Sequence, residues 1–174
     1  MSDVLLALNV DLESVAERVR RSLVRIEDRG RGAGAGAIWH AHGLILTNAH
    51  VAHQSCLEVT LSDGRTLPGR LLAREDRLDL AALVVKAEGL PAIGLGSSRR
   101  LRPGQWVMAL GHPWGIEAGA TAGVVIAVGM GFPGVAIDGR EMIAVSLQLR
   151  PGHSGGLLVD EEARLVGINT MMAG

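Results

Sequence analysis

The hydrophobic positions of this chain follow a helical spacing only near its start. Within residues 9–21 the apolar side chains recur three or four positions apart, and they are Leu12, Val15 and Val19. This spacing puts them on one face of an amphipathic helix. Ser14 and Glu17 stand three residues apart, which is the spacing of a capping box. The pattern therefore predicts one short N-terminal helix.

Beyond residue 22 the pattern changes to short apolar runs separated by turn residues. Val24 and Ile26 alternate with charged side chains, which is the period of a β-strand. The further runs lie at 37–39, 44–47, 57–61, 66–73, 80–85, 106–110, 120–128, 142–149, 156–159 and 165–170. Asp63-Gly64 between two of these runs is typical of a hairpin turn. Many short strands with one helix indicate an all-β sandwich or a pair of barrels.

The least apolar interior segment covers residues 94–104 and includes a Ser-Ser-Arg-Arg stretch followed by Pro103. Such a segment is typical of a boundary between two lobes. We therefore expect a helical segment over 1–22, an N-terminal β lobe over 23–96, a linker over 97–104 and a C-terminal β lobe over 105–174.

Composition and charge exclude several classes of protein. The chain has 174 residues and 24 glycines without a three-residue period, which excludes a collagen-like protein. An apolar fraction of 48% with a net charge of −1 excludes a disordered chain. Lys and Arg number 17 against 18 acids, so no basic field attracts nucleic acid or anionic lipid. No apolar run approaches the roughly 20 residues of a membrane span.

Cysteine usage and the N-terminus bear on the compartment. Cys56 is the single cysteine, so the chain forms no internal disulfide. The opening Met1-Ser2-Asp3 lacks the basic stretch that begins a signal peptide. With Met1 as the native start, we expect a cytoplasmic location.

Three polar segments follow predicted strands and together supply a histidine, a carboxylate and a serine. They are Thr47-Asn48-Ala49-His50, Asp76-Arg77-Leu78-Asp79 and Gly152-His153-Ser154-Gly155-Gly156. A serine hydroxyl becomes nucleophilic when a base takes its proton, and an imidazole base needs a carboxylate to fix its tautomer. Glycines beside the serine let backbone N–H groups point at an oxyanion. The chain order His, Asp, Ser is that of chymotrypsin-type hydrolases.

These segments resemble the trypsin-like serine peptidases of the HtrA/Deg type over roughly residues 23–170. The matching features are a Gly-rich stretch at 32–38, Thr-Asn-Ala-His, Asp-Leu-Ala-Ala-Leu, Gly-His-Pro and Gly-x-Ser-Gly-Gly. The resemblance implies an all-β fold of two perpendicular six-stranded Greek-key β-barrels, with a short N-terminal helix and the active site between the barrels. It implies the catalytic triad His50, Asp79 and Ser154, with the N–H groups of Gly152 and Ser154 as the oxyanion hole.

The choice of carboxylate and three departures from the family pattern bear on these expectations. Asp76 is the alternative to Asp79, which we favour because it adjoins an apolar run. His153 stands where the family usually has asparagine. The N-terminal segment lacks the aromatic residues that family trimers commonly use, so the oligomeric state stays open. The family continues into another strand after Gly174, so we expect the second barrel to be incomplete.

The resemblance implies a serine endopeptidase that cuts extended or unfolded polypeptides, without a cofactor, a metal, a nucleic-acid partner or a membrane span. We expect the substrate to add as a strand along residues 169–172. The expected substrate-binding residues are Gln148, Leu149, Asn169, Thr170, Met171 and Met172. They carry no acid, so we expect a preference for small to medium apolar side chains. The alternative function is a protease-like module that binds peptides without cutting them.

Two other sites were weighed against solvent-exposed loops. One is a metal site from the side chains that gather within residues 40–56, namely His40, His42, His50, His53 and Cys56. Against it, His40-Ala41-His42-Gly43 is better interpreted as a hairpin turn between strands, and no carboxylate lies close by in sequence. The other is a phosphate-binding loop over 29–34, which would need a helix after it, whereas a strand is predicted there.

Overall fold

The computed structural model describes residues 3–28, 32–130 and 141–170, and they form one α-helix, two short 3₁₀-helices and eleven strands. The helix α1 spans Asp3–Arg20. The strands are β1 Leu23–Asp28, β2 Gly32–His40, β3 Leu44–Thr47, β4 Cys56–Thr60, β5 Thr66–Glu75, β6 Leu80–Val85, β7 Trp106–Gly111, β8 Gly119–Met130, β9 Glu141–Val145, β10 Leu157–Val159 and β11 Leu165–Ile168. Every apolar run predicted as a strand overlaps one of these strands.

The first six strands close into a barrel because alternate residues are apolar and point inward. The strand order is β1-β2-β3-β6-β5-β4, and β4 pairs with β1 to complete the ring. Burial alternates along β3 and β6, as expected for strands with one face in a core. Large side chains fill the interior, among them Ile26, Ile45, Leu57 and Leu83. The hairpin predicted at Asp63-Gly64 joins β4 to β5.

The remaining strands form a curled sheet that stays open among the described residues. Its order is β11-β10-β7-β8-β9, all antiparallel. The side chains inside its curve are Val107, Ala109, Val125, Leu158 and Val166. The predicted all-β fold class is confirmed: the first barrel has its six strands, and the second lobe is a half-barrel of five described strands.

Helix α1 packs into a third core between the two lobes. Val15 and Val19 lie there with residues of the barrel and the second sheet, namely Leu23, Ala35, Met108, Leu110 and Leu157. The helix begins at Asp3, well before Ser14, so the predicted capping box is wrong. Glu17 instead accepts hydrogen bonds from the Arg20 guanidinium at 2.9 and 3.0 Å on the exposed surface. In the described ranges no helix is long and apolar enough to cross a membrane.

Candidate active site

His50 and Asp79 come together at one end of the first barrel. His50 lies in the turn that follows β3, and Asp79 ends the loop between β5 and β6. The Nδ1 atom of His50 lies 2.8 and 3.0 Å from the two Asp79 carboxylate oxygens, and the backbone N–H of His50 donates to Oδ1 at 3.0 Å. An Nδ1–H that donates to a carboxylate leaves Nε2 bare and able to accept a proton.

The Asp79 carboxylate is held in place from several directions. Its side chain is 16% exposed, and the Thr170 hydroxyl donates to its Oδ2 at 2.9 Å. Asp79 adopts a left-handed backbone with φ of 53°, and its carbonyl accepts from Asn48 Nδ2 at 3.0 Å. Asp76, by contrast, is 74% exposed and bonded to Arg74. The carboxylate that contacts the imidazole is therefore that of Asp79.

Ser154 lies in a tight loop that requires glycine on both sides. Gly152 has a φ of +99°, and a Cβ built there would lie 2.1 Å from the His112 carbonyl oxygen. Gly155 has a φ of +80°, and its Cβ would lie 2.1 Å from the Ala35 carbonyl oxygen. Both positions combine a left-handed backbone with close approach of another chain segment, which only glycine tolerates.

The loop leaves two backbone N–H groups unused in the described part of the chain. The carbonyls of Pro151 and Gly152 accept from the N–H groups of Trp114 at 3.0 Å and His112 at 2.8 Å. The N–H groups of Gly152 and Ser154 find no acceptor among the described residues. Two free donors beside a serine are what an oxyanion hole requires.

Bonds between the lobes bring the Ser154 loop to the His50 turn. The Gly155 N–H donates to Asn48 Oδ1 at 2.7 Å, and the Ser154 carbonyl accepts from the Ala35 N–H at 2.8 Å. Within residues 3–28, 32–130 and 141–170, the Ser154 hydroxyl makes no hydrogen bond to His50. In enzymes without bound substrate such catalytic bonds are often long and tighten on binding.

Two further histidines belong to this region: His153 lies within the loop, and His112 lies beside it at the end of β7. Burial lowers the pKa of His153; the hydrogen bond to the Arg150 carbonyl raises it in part, and the positive charge of Arg150 lowers it. Burial also lowers the pKa of His112, with Arg25 and His153 acting in the same direction. Both rings are thus held toward their neutral forms near pH 7.

The residues predicted to bind substrate lie in different environments. Gln148 is exposed, and its amide oxygen accepts from the Arg150 guanidinium. Leu149 is half-buried and borders an open, largely apolar cavity of about 390 Å³, with Thr170 also on its wall. Met171 and Met172 lie outside the described residues.

Asn169 is placed inside the lobe rather than at a free strand edge. Its side-chain amide donates to the carbonyls of Leu110 at 3.1 Å and Leu157 at 3.0 Å. Its backbone N–H donates to Gly156 and its carbonyl accepts from Gly155, both at 2.9 Å. Asn169 therefore holds the Ser154 loop in place through its backbone bonds to Gly155 and Gly156. A pairing edge for substrate would have to begin after it.

The side chains considered for a metal site are dispersed. The His40 and His42 rings meet edge to face with centroids 4.9 Å apart, while Cys56 is exposed at the start of β4. His50 is bonded to Asp79. Among the described residues no three histidine, cysteine or acidic side chains gather as metal ligands.

Sequence reasoning missed two positioning residues. Asn48 belongs to the quoted Thr-Asn-Ala-His segment but had no role, although it bonds both Gly155 and Asp79. Thr170 was expected only to contact substrate, and its hydroxyl is bonded to Asp79. A polar side chain within two residues of the end of a strand was the available signal for both.

Comparison with known proteins identifies the family. The family model described as "Trypsin-like peptidase domain" matches residues 34–168. The chain belongs to the trypsin-like peptidase family. A solved structure named "HtrA-type protease AlgW with tripeptide" superposes on this trypsin-like domain with a TM-score of 0.84 and 32% sequence identity, over 91% of this chain and 53% of the other.

Two curated relatives show the same kinship. "Serine protease PepD" of Mycobacterium tuberculosis is 38% identical over 181 residues, which cover 93% of this chain and 39% of PepD. "Probable periplasmic serine endoprotease DegP-like" of Hahella chejuensis is 39% identical over 143 residues, which cover 82% of this chain and 30% of the relative. The trypsin-like domain thus spans about a third of the length of these relatives and about half of the solved structure.

The expected cytoplasmic location is wrong. The Hahella chejuensis relative and two others at 37% and 39% identity are named periplasmic endoproteases. These names point to the periplasm for this branch of the trypsin-like family. The absence of a recognisable signal at Met1 was therefore a poor guide to the compartment.

Proposed function

We propose that this chain is a serine endopeptidase whose triad is His50, Asp79 and Ser154. The observation that carries the proposal is the His50 imidazole, fixed by Asp79 with its Nδ1 atom on the carboxylate. This contact selects the tautomer that a general base requires. The two unused N–H groups beside Ser154 support the same chemistry.

The reaction divides into acylation and deacylation. Ser154 Oγ attacks the carbonyl carbon of the scissile peptide while His50 Nε2 takes the hydroxyl proton. The N–H groups of Gly152 and Ser154 hydrogen-bond the oxyanion of the tetrahedral intermediate. The intermediate then expels the amine, which takes the proton from His50. Water attacks the resulting ester with His50 again as base, which releases the acid and restores Ser154.

The substrate we propose is an extended polypeptide that pairs with the chain after Asn169. Support comes from AlgW, whose solved structure carries a tripeptide. For the side chain before the scissile bond we propose a small to medium apolar residue, because Leu149 supplies an apolar wall. Thr170 lines the same cavity, Gln148 precedes Leu149 in sequence, and Met171 and Met172 follow Thr170.

A fluorophosphonate probe tests the assignment of the nucleophile. The folded chain is incubated with the probe and the adduct is mapped by mass spectrometry, with Ser154→Ala as the matched control. We expect one adduct on Ser154, none in the variant, and hydrolysis of casein that the variant lacks. Absence of an adduct in folded protein would contradict the proposal and favour the peptide-binding module. Casein hydrolysis by Ser154→Ala would show that the nucleophile lies elsewhere.

A further inference from the structure

The ring of His153 is built into the inner side of the Ser154 loop. His153 is 2% exposed and lies between Gly152 and Ser154. It packs against the end of β7, where a Cβ added to Gly111 would stand 2.6 Å from His153 Cα and 3.3 Å from its ring. The absence of a side chain at Gly111 thus makes room for this imidazole.

Two hydrogen bonds connect His153 to Arg150 across the loop. The His153 N–H donates to the Arg150 carbonyl at 2.9 Å, and the Arg150 N–H donates to His153 Nδ1 at 3.0 Å. An N–H group can donate only to a bare Nδ1, so this bond selects the neutral tautomer with the ring proton on Nε2, an atom that is buried and has no hydrogen-bond partner among the described residues. A ring protonated at Nδ1 could turn to the Arg150 carbonyl, 3.2 Å away, and would leave the Arg150 N–H without its acceptor.

This pair of bonds encloses the residue that supplies one oxyanion donor. Between Arg150 and His153 the chain contains only Pro151 and Gly152, whose carbonyls are already bonded to Trp114 and His112. The Gly152 N–H belongs to the same planar peptide group as the Pro151 carbonyl, so the Trp114 bond holds its orientation, and the two bonds between Arg150 and His153 hold the turn that carries this peptide group. The guanidinium carbon of Arg150 also lies 5.6 Å from the centroid of the Trp114 ring, a cation–π contact on the solvent-facing side of the turn.

We propose that neutral His153 is a positioning residue for peptide hydrolysis, holding the Arg150–Ser154 loop in the form that presents the N–H groups of Gly152 and Ser154. The inference rests on the proposed function, because it concerns the oxyanion hole of that reaction. His153 touches no substrate. It acts through the Arg150 N–H and the turn that this bond closes.

The groups around the His153 ring determine whether the loop is lost at low or at high pH. The charged or titratable groups that face it among the described residues are Arg150 on its own loop and His112 from the end of β7. Neither is an acid; the Arg150 carbonyl favours the imidazolium and raises the pKa of His153, but the effect of burial is larger. Burial lowers the pKa of His153 below the ordinary value of about 6.5. The loop should therefore be intact at neutral pH and lose its Nδ1 acceptor as the pH falls through this lowered pKa.

The acid limb of the pH–rate profile tests the proposal directly. The base His50 must be neutral for catalysis, and this requirement alone gives log kcat/KM a slope of one on the acid limb. If His153 must also be neutral, log kcat/KM of the wild-type chain falls with a slope approaching two at low pH. In His153→Asn, whose Oδ1 can accept from the Arg150 N–H and does not titrate, we expect a slope of one. Equal slopes in the two proteins would overturn the proposal.

Two further variants separate His153 from its neighbour and from a purely structural role. His112→Asn removes the half-buried histidine beside the loop, and we expect its log kcat/KM to keep the slope approaching two at low pH. A slope of one in His112→Asn but not in His153→Asn would contradict the assignment. His153→Leu offers no acceptor and should lower kcat about 100-fold with little change in KM. His153→Asn should stay within about fivefold of wild type. Circular dichroism at each pH confirms that every protein compared is folded.

A readout independent of turnover distinguishes failure of this inference from failure of the proposed function. In chain labelled with ¹⁵N-histidine, the His153 ring signals are assigned by their absence from His153→Asn. We expect a bare Nδ1 and a protonated Nε2 at pH 7. A proton on Nδ1 at pH 7 would overturn the inference whether or not the chain cleaves peptides. A chain that forms no acyl-enzyme contradicts the proposed function even if the ring has the expected tautomer.

Discussion

At the scale of single residues, Asp79 is the group on which the polar contacts of the site converge. The sequence alone favoured it over Asp76 because it adjoins an apolar run, and in the structure its side chain is 16% exposed against 74% for Asp76. The role of Thr170 could not be predicted in this way. Its hydroxyl reaches Asp79 across 91 residues of chain, and only the folded molecule sets that distance.

The Thr170 hydroxyl provides a test of how Asp79 is held. Thr170→Val keeps the shape but removes the donor to Asp79 Oδ2, so the carboxylate is less firmly oriented toward His50. We expect kcat to fall about tenfold with little change in KM, since a bond to a charged group contributes roughly 1.5–3 kcal/mol. Thr170→Ser keeps the hydroxyl and should stay within about twofold of wild type. Equal kcat in both variants would show that this bond is irrelevant to catalysis.

At the scale of the elements, the strands were predictable and the start of the helix was not. Short apolar runs between turn residues mark strands because each strand buries one face in a lobe core. Residues 4–8 are all apolar, so no helical period is visible there, and the prediction began only at residue 9. The helix in fact begins at Asp3 and contributes to the core between the lobes.

The contribution of α1 to stability can be measured with two substitutions of the same kind. Val19 is fully buried between the lobes, whereas Val10 on the same helix is 57% exposed. Val19→Ala should lower the free energy of unfolding by about 1.5–3 kcal/mol through lost burial and a cavity. Val10→Ala should change it by less than about 0.5 kcal/mol. Urea denaturation measures both, and equal effects would mean that α1 does not pack as described.

The Ser154 loop requires glycine at position 155 both for its positive φ and for its close packing, and alanine variants of Gly155 and Gly64 separate the two effects. Gly155 and Gly64 share a positive φ, but only Gly155 has other atoms against the position of a Cβ. We expect Gly155→Ala to cost about 3 kcal/mol or more, and Gly64→Ala about 1 kcal/mol from backbone strain alone. Thermal unfolding checks the difference. A Gly155→Ala protein as stable as Gly64→Ala would contradict the close packing of the loop on β2.

At the scale of the whole molecule, the candidate site exists because the two lobes are joined at particular bonds. Asn48 to Gly155 spans 107 residues, and Ala35 to Ser154 links β2 to the loop of the second lobe. The motifs and their order allowed the two-lobed fold and the His50, Asp79 and Ser154 candidates to be predicted. The bonds that join the lobes could not be, because they depend on how the barrel and the half-barrel pack together.

The central claim is that His50, held by Asp79, activates Ser154 for peptide hydrolysis. It is tested most directly by comparing kcat/KM of Asp79→Asn and Asp76→Asn on a chromogenic peptide, with both proteins shown to be folded. Asp79→Asn should lower kcat/KM about 10⁴-fold, because an amide no longer fixes the imidazole tautomer. Asp76→Asn, three residues earlier and exposed, should match the wild-type rate. Wild-type kcat/KM in Asp79→Asn would contradict the account.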